Sequence, residues 1–369
     1  MNLLTKWLFF FLFGTALNTC CWAQDSDSKI SLQIHTLEHT ISQILDSAHI
    51  PGITVAVINK GELIWSKGFG VVNTESGIKV NERTIFPAAS LGKPVFAYAV
   101  LKMVDEGKLH LDSTITSSVP LEYLEDKFFK GKLTDENMKL ITPRMILSHS
   151  SGLPNWRNPG EPIKTLYKPG DKYSYSGEGY FLLQLIVEYI MKKPIEKVIH
   201  DYVFIPLQMG NSTFLPKSSD HYTSTYGNDG KIVTMDTLES ANVAHTFKTN
   251  ATDYRQFIIA LMNGKGLTKT TFKDMFNPQI ATDICQPGKV SWGLGFAIQH
   301  TEAGNAFFQW GKSPNSSSYF IGFKDSKKAI IYFTNIANQG LRIGEILVYE
   351  SLGYQDPLFA CFGVKQYNK

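Results

Sequence analysis

The spacing of hydrophobic residues changes along the chain, and each change predicts a different element of secondary structure. Apolar positions first recur at helical spacing, which predicts an amphipathic helix from about Ile30 to Ala48. A Pro-Gly pair ends this pattern. The β-branched run Ile53 to Ile58 then predicts a strand that turns at residues 59–61 and returns as Leu63 to Trp65, forming an antiparallel hairpin.

Further elements follow from the same patterns. Helices are predicted at about Leu91 to Glu106, Phe181 to Met191, Ala251 to Asn263 and Leu341 to Leu352. Strands are predicted at Trp292 to Gln299, Ala306 to Trp310, Ser318 to Phe323 and Ala329 to Asn335. Because both ends of the chain supply strands, they can share one antiparallel sheet flanked by helices, which is an α+β fold.

This organisation predicts one domain over residues 24–369, with a site in a cleft. Its sheet parts cover about 29–108 and 290–355, and a mainly helical inserted region covers about 109–289. Sites usually lie where two such parts meet. A chain of 369 residues, 43% of them hydrophobic, can bury a sizeable core. Its net charge of +3 is too small to indicate a nucleic-acid partner or a membrane surface.

The N-terminus has the pattern of a cleavable signal peptide over residues 1–23. Lys6 precedes an apolar run at 7–17, and small residues near Ala23 predict cleavage before Gln24. A spanning helix would need about 20 apolar residues, and a lipoprotein anchor on Cys20 or Cys21 is a second, weaker alternative. The mature protein is therefore expected to be periplasmic or secreted, without a transmembrane segment.

Ser90 and Lys93 form the most informative motif, Ser-x-x-Lys. Residues three apart share a helix face, so both side chains point the same way if a helix begins near Ser90. Pro94 supports that placement, because a helix tolerates proline only near its N-terminus. A buried, neutral lysine could then take the serine proton and make it a nucleophile. The alternative is a serine cap followed by a surface lysine.

With these residues the chain resembles the serine β-lactamase and penicillin-binding protein superfamily. It is most similar to the branch of class C β-lactamases, D-alanyl-D-alanine carboxypeptidases and related esterases. Segments 142–154, 167–170 and 173–180 continue the resemblance in motif order. The resemblance implies a β-lactamase/transpeptidase-like fold and a serine hydrolase that works through an acyl-enzyme.

Tyr175 matches the tyrosine of the family's Tyr-x-Asn motif, which implies that its phenol exchanges protons near Ser90 and Lys93. The asparagine is absent: Gly177 stands there, followed by Glu178. We expect both positions to lie in the substrate-binding region, with Glu178 either compensating by hydrogen bonds or facing solvent. His149 is expected to pack structurally rather than to act as a catalytic base.

The third motif falls on the strand that contains Gln309, Trp310 and Gly311, where the family has Lys-Thr-Gly or His-x-Gly. The resemblance implies that these three residues bind substrate. It also implies an oxyanion hole built from the backbone N–H groups of Ser90 and Lys312. Replacing the family's cation by Gln309 weakens recognition of a substrate carboxylate.

Three functions remain open at this point. The first is an exported serine hydrolase acting on an ester or amide, as an esterase, D-amino-acid peptidase or β-lactamase-like enzyme. The second is a catalytically weak binding or regulatory protein, and the third is a cell-wall carboxypeptidase. The expected partner is a small-molecule or peptide substrate, with no metal and no cofactor. Cys285 and Cys361 could form a disulfide in an exported protein.

Overall fold

The computed structural model describes residues 33–215, 222–227, 229–233, 240–285, 288–302, 304–337, 340, 343–356 and 358–361. The predicted signal peptide lies outside the described residues. So do the first residues of the predicted helix Ile30 to Ala48, and residues 341–342 at the predicted start of the last helix. Within the described residues, every helix is too short or too polar to cross a lipid bilayer.

The α-helices of the described part include the five predicted ones. The α-helices are α1 (33–48), α2 (Gly92–Asp105), α3 (Ile115–Ser118), α4 (Leu121–Leu124), α5 (Pro143–Leu147), α6 (Gly177–Met191), α7 (Ile195–Ile199), α8 (Ala251–Met262), α9 (Lys269–Phe276), α10 (Gly344–Leu352) and α11 (Leu358–Cys361). The five predicted helices correspond to α1, α2, α6, α8 and α10. A short 3₁₀ turn, Ala89–Leu91, leads directly into α2.

Twelve strands lie in the described part. They are β1 (Gly52–Asn59), β2 (Glu62–Gly70), β3 (Phe86–Pro87), β4 (Thr225–Tyr226), β5 (Ile232–Val233), β6 (Lys248–Thr249), β7 (Ile280–Ala281), β8 (Val290–Trp292), β9 (Ala297–Thr301), β10 (Gly304–Ser313), β11 (Ser316–Phe323) and β12 (Lys328–Thr334). Eight of them form one sheet in the order β2-β1-β12-β11-β10-β9-β8-β7. Every neighbouring pair in it is antiparallel. The predicted α+β architecture is therefore confirmed.

The sheet is buried on both faces, because its strands alternate apolar side chains between two cores. Phe307 packs into the core that contains α2, α6 and α8, whereas its neighbour Phe308 packs into the core on the other face, with α1 and α10. Successive strand residues point to opposite faces, so a continuous apolar run serves both cores. The N-terminal hairpin closes against the last strand, where β1 pairs with β12.

Two details of the predicted sheet are wrong. The predicted strand Trp292 to Gln299 is two strands, β8 and β9, separated by a turn. Gly295 in that turn has a φ of 111° and donates its N–H to the Leu147 carbonyl, so the chain leaves the strand there. The short strand β7 joins the main sheet although it lies within the range predicted as the helical insertion.

The α2 helix runs through the middle of the molecule. Eleven of its fourteen residues are buried, among them Lys93 and Pro94. Pro94 is its third residue, as predicted from the tolerance of helix starts for proline. A helix buried to this extent is largely surrounded by protein, so the Lys93 side chain near its start is held away from water.

Candidate active site

The segment before α2 is held rigidly by neighbouring strands. The Ala88 N–H donates to the Phe247 carbonyl at 2.8 Å, and the Ser318 hydroxyl donates to the Ala88 carbonyl at 3.0 Å. Ala89 has a φ of 47°, in the left-handed region that non-glycine residues rarely adopt. These contacts maintain the sharp bend that presents Ser90, at the centre of the 3₁₀ turn, towards the cleft.

Ser90 and Lys93 lie together as the Ser-x-x-Lys spacing predicts. The Lys93 Nζ is 3.1 Å from the Ser90 Oγ, and it also donates to the Ala244 carbonyl at 2.6 Å. The Ser90 Oγ lies 3.5 Å from the same carbonyl. The amine is therefore within proton-transfer distance of the hydroxyl.

Burial controls the protonation of Lys93. Only 1% of this side chain is exposed, and desolvation lowers its pKa to about 7. Water would stabilise the ammonium form, so its removal favours the neutral amine. The Nζ lies 4.8 Å from the centre of the Tyr175 ring and 5.6 Å from that of Tyr180. At neutral pH a large fraction of the molecules thus carries a free base beside Ser90.

Tyr175 completes the predicted group of three side chains. Its hydroxyl accepts a hydrogen bond from the Gln309 side-chain amide at 3.0 Å. Desolvation raises the pKa of the Tyr175 phenol well above its usual range, and hydrogen bonds with Ser90 and Gln309 oppose part of this shift. Tyr175 is therefore a neutral phenol at physiological pH, suited to giving and regaining a proton.

The buried ring of His149 packs against the ring of Tyr175. Its ring centre lies 4.2 Å from that of Tyr175 and 4.8 Å from that of Trp292. The Nδ1 accepts the Ser176 backbone N–H at 3.0 Å, and burial holds the pKa of His149 well below its usual range. The structural role expected for this histidine agrees with that packing.

Gln309 and Gly311 lie on the part of β10 that faces Ser90. Gln309 is fully buried, and its amide reaches Tyr175 and, at 3.5 Å, the Ser90 carbonyl. A Cβ at Gly311 would lie 2.1 Å from the Ala88 carbonyl oxygen. Only glycine permits this close approach of β10 to the bend before Ser90.

Trp310 and Lys312 are the other two β10 residues for which a role in the site is expected. The Trp310 ring stacks on Tyr175 with 6.0 Å between ring centres, and the Lys312 side chain is exposed. The pairing of β10 with β9 ends at Phe308. From Gln309 onwards, none of the strands in the described residues pairs with the β9 side of β10.

Trp156 occupies the space that the family's asparagine side chain would need. A Cβ at Gly177 would lie 2.6 to 2.9 Å from three atoms of the Trp156 indole. The indole is 47% exposed, and its centre lies 5.3 Å from the ring of His245. Nothing in the spacing of Trp156, His245 and Ala244 relates them to Ser90, so they could not be predicted from the sequence as residues near Ser90.

Of the two alternatives expected for Glu178, exposure to solvent is wrong, because the residue is buried. Its hydrogen bonds go to Arg157, and its role in substrate binding stays a prediction. Its carboxylate is buried and accepts from Arg157, with 2.5 Å to the guanidinium and 3.1 Å to the backbone N–H. A buried carboxylate needs such a partner. Glu178 therefore fixes the loop that carries Trp156.

Two further expectations concern cysteines and metals. Cys285 is disulfide-bonded. The sequence left its pairing with Cys361 open, and the Cys361 side chain lies outside the described ones. Among the described residues, no group of three or more His, Cys, Asp or Glu side chains is arranged to hold a metal ion.

Solved structures with this fold are similar to most of the chain. A penicillin-binding protein homologue from Pyrococcus abyssi, described as octameric, superimposes with a TM-score of 0.75 at 20% identity, over 89% of this chain and 80% of that one. A class C β-lactamase gives 0.73 at 18% identity, over 89% and 98%. The D-alanine carboxypeptidase AmpC from Burkholderia cenocepacia gives 0.72 at 16% identity, over 88% and 99%. At these identities the similarity establishes the fold.

Sequence comparison extends the similarity to curated proteins. Protein flp of Staphylococcus aureus (strain MW2) is 24% identical over 330 residues, which cover 83% of this chain and 63% of flp. This chain thus spans less than two thirds of that relative. The putative penicillin-binding protein PbpX of Bacillus subtilis (strain 168) is 25% identical over 86% of this chain and 79% of PbpX. A model of the Beta-lactamase family matches residues 37–348, and the chain belongs to that family.

Proposed function

We propose that the protein is an exported serine hydrolase that forms an acyl-enzyme at Ser90 with an ester or amide substrate. The observation that carries the proposal is the buried amine of Lys93, 3.1 Å from the Ser90 hydroxyl and with a pKa lowered to about 7. A general base is most effective when its pKa lies near the working pH. The predicted leader peptide supports export.

The three central side chains can move the protons of such a reaction. The Ser90 Oγ attacks the substrate carbonyl while its proton passes to the Lys93 Nζ. When the tetrahedral intermediate collapses, Tyr175 gives its phenolic proton to the leaving group and regains one from the Lys93 ammonium. Water then attacks the acyl-enzyme, giving one proton to the base, and Ser90 regains its own as the acid product leaves.

The negative charge of the tetrahedral intermediate requires hydrogen-bond donors. We assign this role to the backbone N–H groups of Ser90 and Lys312. The free edge of β10 beyond Phe308 and the close approach of Gly311 to Ala88 support this assignment. Fixed donors of this kind typically contribute about 3 kcal/mol to transition-state stabilisation.

The altered specificity positions favour a neutral substrate. The class C β-lactamase and the D-alanine carboxypeptidase show that the fold is compatible with amide substrates. In this chain, however, Gln309 provides no positive charge for a carboxylate, and Trp156 covers Gly177. An ester or an uncharged amide suits this cleft better than a peptide with a free C-terminal carboxylate.

Covalent labelling tests the proposal directly. We expect a fluorophosphonate to label the mature protein at Ser90, with loss of labelling in Ser90→Ala and no change in the exposed control Ser117→Ala. Peptide mass spectrometry identifies the modified residue. No labelling, together with no turnover of activated esters, would overturn the proposal in favour of a binding protein. Labelling of Ser90 by fluorescent penicillin but not by fluorophosphonate would favour the carboxypeptidase.

A further inference from the structure

Hydrogen bonds hold the loop that carries Trp156 against the start of α6. The Asn155 backbone carbonyl accepts the N–H groups of Gly177 and Glu178 at 3.1 Å, and the Ser176 hydroxyl donates to the Pro154 carbonyl at 2.8 Å. Free N–H groups at a helix start would otherwise be available to a polar ligand. Here the Asn155 carbonyl of the loop accepts both N–H groups, so the group available to a ligand at this end of the cleft is the Trp156 indole.

A second contact fixes the same loop. Arg157 pairs with Glu178 and donates to the Phe128 carbonyl at 2.7 Å. The two charges next to Trp156 therefore neutralise each other within the protein. An aromatic side chain on a fixed backbone loses little conformational freedom when it binds a ligand, which makes it an effective contact.

Trp156 and His245 together form an aromatic wall beside the reacting atoms. Their ring centres are 5.3 Å apart, with 42° between the ring planes. His245 directly follows Ala244, whose carbonyl oxygen lies 2.6 Å from the Lys93 Nζ and 3.5 Å from the Ser90 Oγ. The His245 side chain is exposed. Partial desolvation, with a smaller contribution from Lys93, lowers the pKa of His245 below its usual range, which favours the neutral ring.

The wall lies next to the point at which a substrate would be bonded to Ser90. The Ala244 carbonyl is 3.5 Å from the Ser90 Oγ and His245 follows Ala244 in the chain, so the substituent of an acyl group on Ser90 can reach the wall, while Tyr175 serves the leaving group in the proposed reaction. Trp156 is nearly half exposed there. Covering an exposed aromatic face with an apolar group is favourable, because it removes apolar surface from water.

Building on the proposed hydrolase activity, we infer that Trp156, with His245, is the specificity-determining contact for a flat, uncharged acyl group, such as an arylacetyl group. Gly177 permits this arrangement, since any side chain at that position would displace the indole. The preferred substrates are therefore esters or amides of apolar, planar carboxylic acids.

Two esters with the same leaving group test the inference: p-nitrophenyl phenylacetate and p-nitrophenyl acetate. Trp156→Ala should lower kcat/KM for phenylacetate by roughly 10- to 100-fold, the usual scale for losing an apolar contact in a pocket, and change acetate by less than about threefold. The preference is the ratio of kcat/KM for phenylacetate to that for acetate. Trp156→Phe should keep most of this ratio, and His245→Ala should lower its logarithm by about half. Tyr349→Ala, an exposed aromatic residue on α10, is the matched control and should change neither rate.

The outcomes separate the two proposals. If wild-type protein hydrolyses neither ester and is not labelled at Ser90, the hydrolase proposal fails. If wild-type protein hydrolyses both esters and Ser90→Ala hydrolyses neither, the hydrolase proposal stands. In that case, a Trp156→Ala variant that changes both rates equally, or changes neither, refutes the role of Trp156.

Discussion

The side-chain amide nitrogen of Gln309 lies 3.0 Å from the hydroxyl oxygen of Tyr175. The resemblance led us to expect Gln309 to bind substrate, in place of a lysine or histidine. That role stays a prediction, and in the structure the Gln309 amide donates a hydrogen bond to the Tyr175 phenol. A neutral amide can do this without lowering the pKa of the phenol as strongly as a cation would.

Gln309→Lys should change selectivity for charge. Burial lowers the pKa of a lysine at this position, so it is a cation in acidic buffer, where it attracts a substrate carboxylate. Under those conditions the ratio of kcat/KM for a carboxylate-bearing ester to that for its neutral analogue should rise about tenfold, equivalent to roughly 1.4 kcal/mol. Steady-state kinetics with the two esters measures this ratio. Gln309→Met is the uncharged control and should lower both rates by a similar factor. An unchanged ratio in Gln309→Lys would show that position 309 does not contact that part of the substrate.

The rate of Ser90 acylation should rise with pH through about 7. Lys93 acts in its neutral form, and burial lowers its pKa to about 7, so the active fraction increases as that proton is lost. Stopped-flow acylation by an uncharged activated ester between pH 5 and pH 9 measures the profile. His245→Asn is the control and should leave the midpoint near 7, because the pKa of His245 is lowered further below this range. A midpoint that moves in this variant would assign the base to His245.

Lys93 also affects stability in a defined pH window. In the unfolded chain its pKa is about 10.4, so between about pH 7 and pH 10 the unfolded state binds more protons than the folded state. The free energy of unfolding therefore rises with pH there. Relative to Lys93→Met, the wild-type value should increase by about 3 kcal/mol between pH 7 and pH 9.5.

Urea unfolding at the two pH values measures this difference. Lys289→Met, a substitution of an exposed lysine, should follow the wild-type pH dependence. Parallel curves for wild type and Lys93→Met would mean that Lys93 keeps its proton when folded, which would remove the base from the mechanism.

Gly177→Ala should displace the Trp156 indole. The added Cβ would lie 2.6 Å from the ring, but the ring is nearly half exposed and can move outwards. We expect a loss of about 1 kcal/mol in stability and greater quenching of tryptophan fluorescence by acrylamide. In a double-mutant cycle with Trp156→Ala, the two substitutions should couple by about 1 kcal/mol. Strictly additive effects would mean that the two residues do not share this space.

Local patterns in the sequence were sufficient to predict the frame of the fold and the first pair of site residues. The period of apolar residues indicates helices and strands, because each element buries one face or both. Ser90 and Lys93 are three residues apart at a helix start, so their proximity depends only on helix geometry, and Pro94 locates that start. Tyr175 required the family resemblance, since 85 residues separate it from Ser90 in the sequence.

Tertiary packing alone decided how the cleft is completed. The break between β8 and β9 depends on a contact of Gly295 with Leu147, and the environment of Lys93 depends on the carbonyl of Ala244, 151 residues away. The asparagine missing at Gly177 was visible in the sequence, but its replacement by Trp156 was not, because the indole reaches that space from a separate loop. Such contacts join residues distant in sequence, and no spacing rule encodes them. The sequence therefore determined the elements and the proximity of Ser90 and Lys93, while the fold determined the desolvation that lowers the pKa of Lys93 and the residues that line the proposed substrate cleft.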